Sequence, residues 1–175
     1  MPRHSDNREP VAPDTLPYRP CVGIMLINRD GLVWVGNRIQ EVDTGSALTW
    51  QMPQGGIDEG EAPDEAAMRE LKEETGTDKA RIIGETKDWL TYELPPHLVG
   101  IALKGKYRGQ KQKWFAMRFT GDDADVDIAA DAHQEFSEWA WVPIGELLEL
   151  IVPFKRSVYE QLVREFGPLA VPEKG

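Results

Sequence analysis

Glu70, Glu73 and Glu74 stand at i, i+3 and i+4 within Asp58 to Glu74, a strongly acidic stretch. On a helix that spacing puts the three carboxylates on one side. Ala67 and Leu71 fall together on the same helix and form its core-facing stripe. At roughly 100° per residue, Glu74 lies only about 20° from Ala67, so partial burial beside that stripe is expected. Crowded carboxylates repel one another and lose solvation, which costs free energy unless they are paired or bound to a cation. Arg69 can pair with one of them, Glu73 at i+4. The remaining charge asks for a metal, and oxygen-only donors point to Mg²⁺ or Mn²⁺ ahead of Ca²⁺. The competing reading is a solvent-facing acidic helix with ordinary i, i+4 pairs. The helix alone does not separate the two.

The elements around this helix must position it. Pro63 near the start, acids in the first turn and Gly76 past the end predict a helix over Pro63–Thr75. Gln54-Gly55-Gly56-Ile57-Asp58-Glu59-Gly60-Glu61 feeds into it as a glycine-rich loop. Gly55 can bring a backbone carbonyl close to a cation, because no side chain obstructs the approach. Val22–Ile27 reads as a buried strand, Asn28 to Gly31 as a tight turn, and Leu32–Val35 as the returning strand. Glu41 to Leu48 reads as a polar loop and Trp50–Met52 as a short strand stopped by Pro53. Arg81–Tyr92 holds another strand, broken at Leu94-Pro95-Pro96. Trp114–Phe119 and Glu138–Val142 are further strands, the latter with Trp139 and Trp141 on one face. Ile144–Ile151 and Lys155–Phe166 read as helices. Mixed strands with a few helices make one α/β or α+β domain.

The 175 residues fit one domain over 18–170, after a polar, proline-bearing tail over 1–17. The longest apolar run, near Cys21–Ile27, is too short to span a bilayer, and no signal pattern opens the chain. Cys21 is the only cysteine, so no intrachain disulfide forms and a cytoplasmic location is the default. A formal net charge of −10 opposes nonspecific coating of long nucleic acid; neither DNA nor membrane is expected as a partner. Lys104, Lys106, Arg108, Lys111 and Lys113 nevertheless form a run without an acid. An acidic cluster and a basic stretch suit divalent metal plus phosphate, or else are unrelated solvated faces.

Gly55–Thr77 resembles the Nudix box, G-x5-E-x7-R-E-U-x-E-E-x-G-U, with U a bulky aliphatic. Gly55, Glu61, Arg69, Glu70, Leu71, Glu73, Glu74 and Gly76 match, and Thr77 departs from the aliphatic at a packing position. The resemblance implies a Nudix fold, a mixed sheet sandwiched between helices with a loop–helix–loop motif. It implies Glu70, Glu73 and Glu74 as ligands of two or more Mg²⁺ (or Mn²⁺) ions, with the Gly55 carbonyl beside them. Glu70 or Glu74 would act as the catalytic base, while Glu61 and Arg69 hold loop and helix together.

Other segments resemble the bacterial RNA pyrophosphohydrolase and diadenosine-polyphosphate hydrolase branch: Tyr18 to Gly23, Trp50 to Gly56, Trp89 to Pro95, Gly109 to Phe115 and Phe154 to Tyr159. On a strand, Lys111 and Lys113 share one side and Gln110 and Gln112 the other. The lysines can bind polyphosphate oxygens, or merely protect an edge strand. Tyr92 is either a phosphate hydrogen-bond donor or a core tyrosine. Arg19 can stack on a base, contact a phosphate, or sit on the surface. Asp125 is placed as the further metal-binding carboxylate, with Glu135 as its competitor. The histidines show no metal spacing. The expected reaction is Mg²⁺-dependent removal of pyrophosphate from RNA 5′-triphosphate ends. Asymmetric cleavage of a dinucleoside polyphosphate is the alternative. A nucleotide-sensing module without turnover and a hydrolase of damaged nucleoside triphosphates are further readings.

Overall fold

The computed structural model describes residues 15–39 and 46–174. Most of the tail expected over 1–17, and of the loop expected over Glu41 to Leu48, lies outside those residues. The central strand is β1 (Tyr18–Ile27). Its Val22, Ile24 and Leu26 pack with Ala66, Ala67 and Leu71 of helix α1 (Pro63–Thr75). Met25 and Ile27 turn to the opposite face, where Tyr159, Leu162 and Phe166 of α3 (Arg156–Phe166) cover them. A strand covered on both faces must be apolar on both, so its sequence is a run rather than an alternation.

Strand β1 pairs in parallel with β7 (Gly109–Phe119), from Tyr18↔Gly109 to Ile27↔Arg118. On its other side β7 takes β5 (Ala80–Glu85) and then β6 (Leu90–Glu93), both antiparallel. Strand β4 (Gln54–Gly56) pairs with β1, and β2 (Val33–Arg38) takes β3 (Trp50–Gln51) and β8 (Phe136–Val142). The result is the expected mixed sheet between helices. No helix among the described residues is long and apolar enough to cross a membrane.

Helix α1 has the bounds expected for it. Gly76 closes it in the left-handed region, at φ 81°, with its N–H on the Lys72 carbonyl. Three expectations need correction. The turn before Gly31 forms, but β1 and β2 part after the single pair Ile27↔Val33; further back on that edge, at Cys21 to Gly23, β1 pairs with β4 instead. The strand expected over Arg81–Tyr92 is two strands, bridged by Thr86, whose N–H bonds the Trp114 carbonyl while its Oγ1 accepts the Trp114 N–H. The helix expected over Ile144–Ile151 is a 3-10 turn, Ile144–Glu146, running into the four-residue α2 (Leu147–Leu150).

Candidate functional site

Helix α1 turns Glu74 inward until 5% of it is exposed. One carboxylate oxygen accepts the Gln54 N–H at 3.1 Å, tying the helix to β4. Burial holds its pKa well above the usual carboxylate range, and the charges of Glu70, Glu135 and Glu73 add to the effect. Glu70 is pushed up to about 7, chiefly by burial and in spite of Arg69. A Cβ built on Gly55 would lie 2.1 Å from the Glu70 carboxyl carbon, so any side chain here would push the Glu70 carboxylate away from β4.

Arg69 closes the loop onto the helix. Its Nε and Nη2 fork onto the Glu61 carboxylate at 2.8 Å each. Its Nη1 reaches Glu70 at 2.8 Å and Glu73 at 3.2 Å, and Nη2 also donates to the Gly56 carbonyl at 2.9 Å. The main partner is thus Glu61 across the loop rather than Glu73 at i+4. A bidentate, charge-assisted fork is the stronger geometry. Hydrogen bonds from Arg69 and from the Asp58 N–H pull Glu61 down to about 2.

A cleft of about 420 Å³ opens over these groups. Carboxylates line it at Glu70, Glu73, Glu74 and Glu135, beside Gly55. Cations line it at Arg19, Arg38 and Lys155, and an apolar wall comes from Leu94, Leu98, Ala102, Leu103 and Phe154. Lys155 is 5% exposed; its amine lies 3.4 Å from Gln51 Oε1 and over the rings of Tyr92 and Phe154. Burial, with nearby Arg38, brings it down to about 7. The Nε of Arg38 is buried without a hydrogen-bond partner among the described residues. Tyr92 is buried, with its ring 5.7 Å from that of Phe154.

Of the residues singled out from sequence, Gly55, Glu70, Glu73, Glu74, Arg19 and Tyr92 come together in this cleft. Lys111 and Lys113 do not. The strand turns Gln110 and Gln112 toward the buried side, where Gln112 donates to Gln54 and Gln110. Lys111 lies instead over the Trp89 ring at 5.2 Å, and the Lys113 amine reaches the Lys87 carbonyl. Alternation along β7 forces the choice: residues 110, 112 and 114 must share the side on which Trp114 is buried. Asp125 is also outside. Its carboxylate pairs with Lys79 at 2.7 Å and caps its own 3-10 turn through the Asp122 N–H. Its competitor Glu135 lines the cleft.

Lys155 and Arg38 were not foreseen. Lys155 had a readable signal, since residues 155, 158, 159, 162 and 166 form one helical stripe, and a lysine on an apolar stripe is out of place. Arg38 had none; the irregularity between Asn37 and Arg38 in the β2–β8 pairing is invisible in sequence.

The donors fit a hard divalent cation. They are oxygens only, and the buried Glu74 sits among the like charges of Glu70, Glu73 and Glu135 with no ion pair among the described residues. Arg69 engages Glu70 and Glu73, and among the described residues no three His, Cys, Asp or Glu side chains are already gathered as a ligand cluster.

Residues 17–162 match the NUDIX domain family, and the chain belongs to that family. Its members generally need a divalent metal such as Mg²⁺. An RNA pyrophosphohydrolase of Brucella anthropi is 57% identical over 172 residues, which cover 94% of this chain and 98% of that protein. One from Mesorhizobium japonicum is 56% identical over 163 residues, covering 90% and 94%. Among solved structures, the E. coli dihydroneopterin triphosphate pyrophosphohydrolase aligns with a TM-score of 0.62 at 20% identity, over 85% of this chain and 99% of that one. A C. elegans Ap4A hydrolase aligns at 0.59 and 18% identity, over 86% and 98%. At such identities these two structures share the fold with this chain.

Proposed function

We propose that this protein is a divalent-metal-dependent pyrophosphohydrolase acting on the 5′-triphosphate end of RNA in the cytoplasm. The observation that carries the reading is one cleft lined by carboxylates, three basic side chains and an apolar wall. Those are the needs of a metal, a polyphosphate and a nucleoside. The full-length similarity to RNA pyrophosphohydrolases supports RNA as the bearer of the triphosphate.

Glu70, Glu73, Glu74, Glu135 and the Gly55 carbonyl would hold Mg²⁺ or Mn²⁺, as two or more ions. Bound there, the metal supplies positive charge against the polyphosphate and acidifies the attacking water. Arg19, Arg38 and Lys155 bind phosphate oxygens through charge-assisted hydrogen bonds. Tyr92 orients Phe154 and Lys155 from below. Glu74 is committed to the Gln54 N–H and the core. Glu70, whose side chain stays 12% exposed, takes the proton from the water. Arg69 keeps the loop closed on the helix, so that Gly55 stays against Glu70. Pyrophosphate leaves, and a 5′-monophosphate end remains.

The test compares initial rates with Mg²⁺ on 5′-triphosphate RNA and on diadenosine tetraphosphate, with Glu74→Gln as control. Faster turnover of RNA, lost in the control, is expected. Faster turnover of the dinucleotide replaces the proposed substrate. Equal activity in the control refutes the site.

A further inference from the structure

We propose that Tyr18, Glu93 and Arg108 form a latch that holds residues 94–108 against the cleft and sets how tightly the nucleoside end of the substrate is gripped. The inference rests on the function proposed above. None of the three lines the cleft, so they act as positioning residues.

The excursion between β6 and β7 supplies Leu94, Leu98, Ala102 and Leu103 to the cleft wall. Its backbone is irregular, with 3-10 turns at Pro96–Leu98 and Leu103–Gly105. Leu103 and Lys104 adopt φ of 54° and 60°, the left-handed region that side chains other than glycine avoid. Backbone strain of this kind persists only where the surroundings over-determine it, and it gathers at ligand clamps. Yet Ile101, at the tip of the excursion, is 64% exposed. Leu94 and Leu98 are buried in the core, with Val99, Ala102 and Leu103 packed against it, so the excursion is held by that packing and by its neck.

The neck is held by main-chain and side-chain contacts together. The Leu94 N–H bonds the Arg108 carbonyl at 2.8 Å, and the Arg108 N–H bonds the Pro17 carbonyl at 3.0 Å. The Glu93 carboxylate accepts from Arg108 Nε at 3.1 Å and lies 2.9 Å from its Nη2. The Tyr18 hydroxyl donates to the same carboxylate, and the Arg108 guanidinium lies 4.8 Å over the Tyr18 ring. The triad joins the start of β1, the end of β6 and the start of β7, the points from which the excursion departs and to which it returns. Its carboxylate serves two partners from two elements, so neutralising it loosens both. Apolar side chains contact a base rather than a phosphate, so opening the neck should weaken the hold on the nucleoside and leave the carboxylate chemistry alone.

The experiment measures Arg108→Ala, Glu93→Gln and the double variant. Three readouts are taken: kinetics on 5′-triphosphate RNA, the inhibition constant of inorganic tripolyphosphate (a phosphate chain without a nucleoside), and hydrogen exchange across residues 94–108. If the closed excursion falls to about one tenth of molecules, KM for RNA rises about tenfold, with kcat within about twofold. Tripolyphosphate inhibition stays unchanged, and exchange across 94–108 quickens. Arg108→Lys recovers part of the loss, and the double variant is no worse than the more damaging single one, because both break the same contact. An unchanged KM, a parallel loss of tripolyphosphate binding, or unaltered exchange overturns the latch. Absence of RNA turnover in the wild-type protein defeats the proposed function instead, and the exchange measurement still decides the latch.

Discussion

Replacing Lys155 with methionine should make the protein more stable and a worse enzyme. Holding this amine down from 10.5 to about 7, at about 1.4 kcal/mol per pH unit, represents about 5 kcal/mol of folding free energy lost at neutral pH. The sign follows from the two states. Above pH 10.5 lysine is neutral folded or unfolded, and there is no penalty. As pH falls, the unfolded chain takes up the proton first; the penalty grows until about pH 7 and is constant below it. Methionine keeps a similar stem and carries no charge. Against the gain stands Gln51, 7% exposed, which loses the amine near its Oε1. An unsatisfied buried amide costs about 1–3 kcal/mol. The net gain of about 2–4 kcal/mol corresponds to a Tm rise of roughly 5–15 °C for a chain of this size. Thermal melts from about pH 6 to about pH 10 should show the difference between the two proteins shrinking as pH rises. Phosphate in the cleft recharges the amine, so at about pH 8 the wild-type protein should take up close to one proton on binding triphosphate RNA, read by titration calorimetry in two buffers. The methionine variant should take up none, with KM raised at least about tenfold. A variant less stable than wild type at neutral pH, or equal proton uptake by both, refutes the reasoning.

Glu135→Gln should lower the rate of pyrophosphate release by about 10–100-fold. Asp125→Asn should leave it within about twofold, since its Lys79 pair is half exposed. Arg69→Lys removes the fork on Glu61 and should cost about 1–3 kcal/mol in denaturant melts. Because Glu61 is held near 2 against an ordinary 4.5, that pair supports the fold above about pH 4.5 and is lost as pH falls toward 2. An acid titration should therefore separate wild type from variant only above that window. Lys111→Ala with Lys113→Ala should change kcat/KM on a short triphosphate RNA by less than about threefold, because both amines lie outside the cleft.

Local patterns were legible where one element determines its own environment. The α1 stripe of Ala67 and Leu71 implied that Glu74 is buried, and the bounds of that helix follow from Pro63 and Gly76. The first half of β7 carries no apolar period over Gln110 to Lys113, so a strand there gave two faces without saying which is buried. Its strand character comes from β1 and β6, which pair with it on either side. Asp125 and Glu135 sat equally near the site in sequence. Only the fold separates them, sending one to Lys79 and the other to the cleft.

The sequence by itself determined the chemistry of one element: an acidic helix, a glycine able to lie against it, and an arginine able to close the loop. These depend on residue type and on spacings of a few residues, which helical geometry converts directly into neighbourhood. Arg19 was already a candidate in the sequence, and the tertiary structure alone decided that Arg38 and Lys155 join it beside those carboxylates. Arg19, Arg38 and Lys155 come from the two ends of the chain, and the lysines nearest in pattern, Lys111 and Lys113, are turned away by the alternation of a single strand. Long-range sheet pairing sets which face of β7 is buried, and no local signal carries that choice.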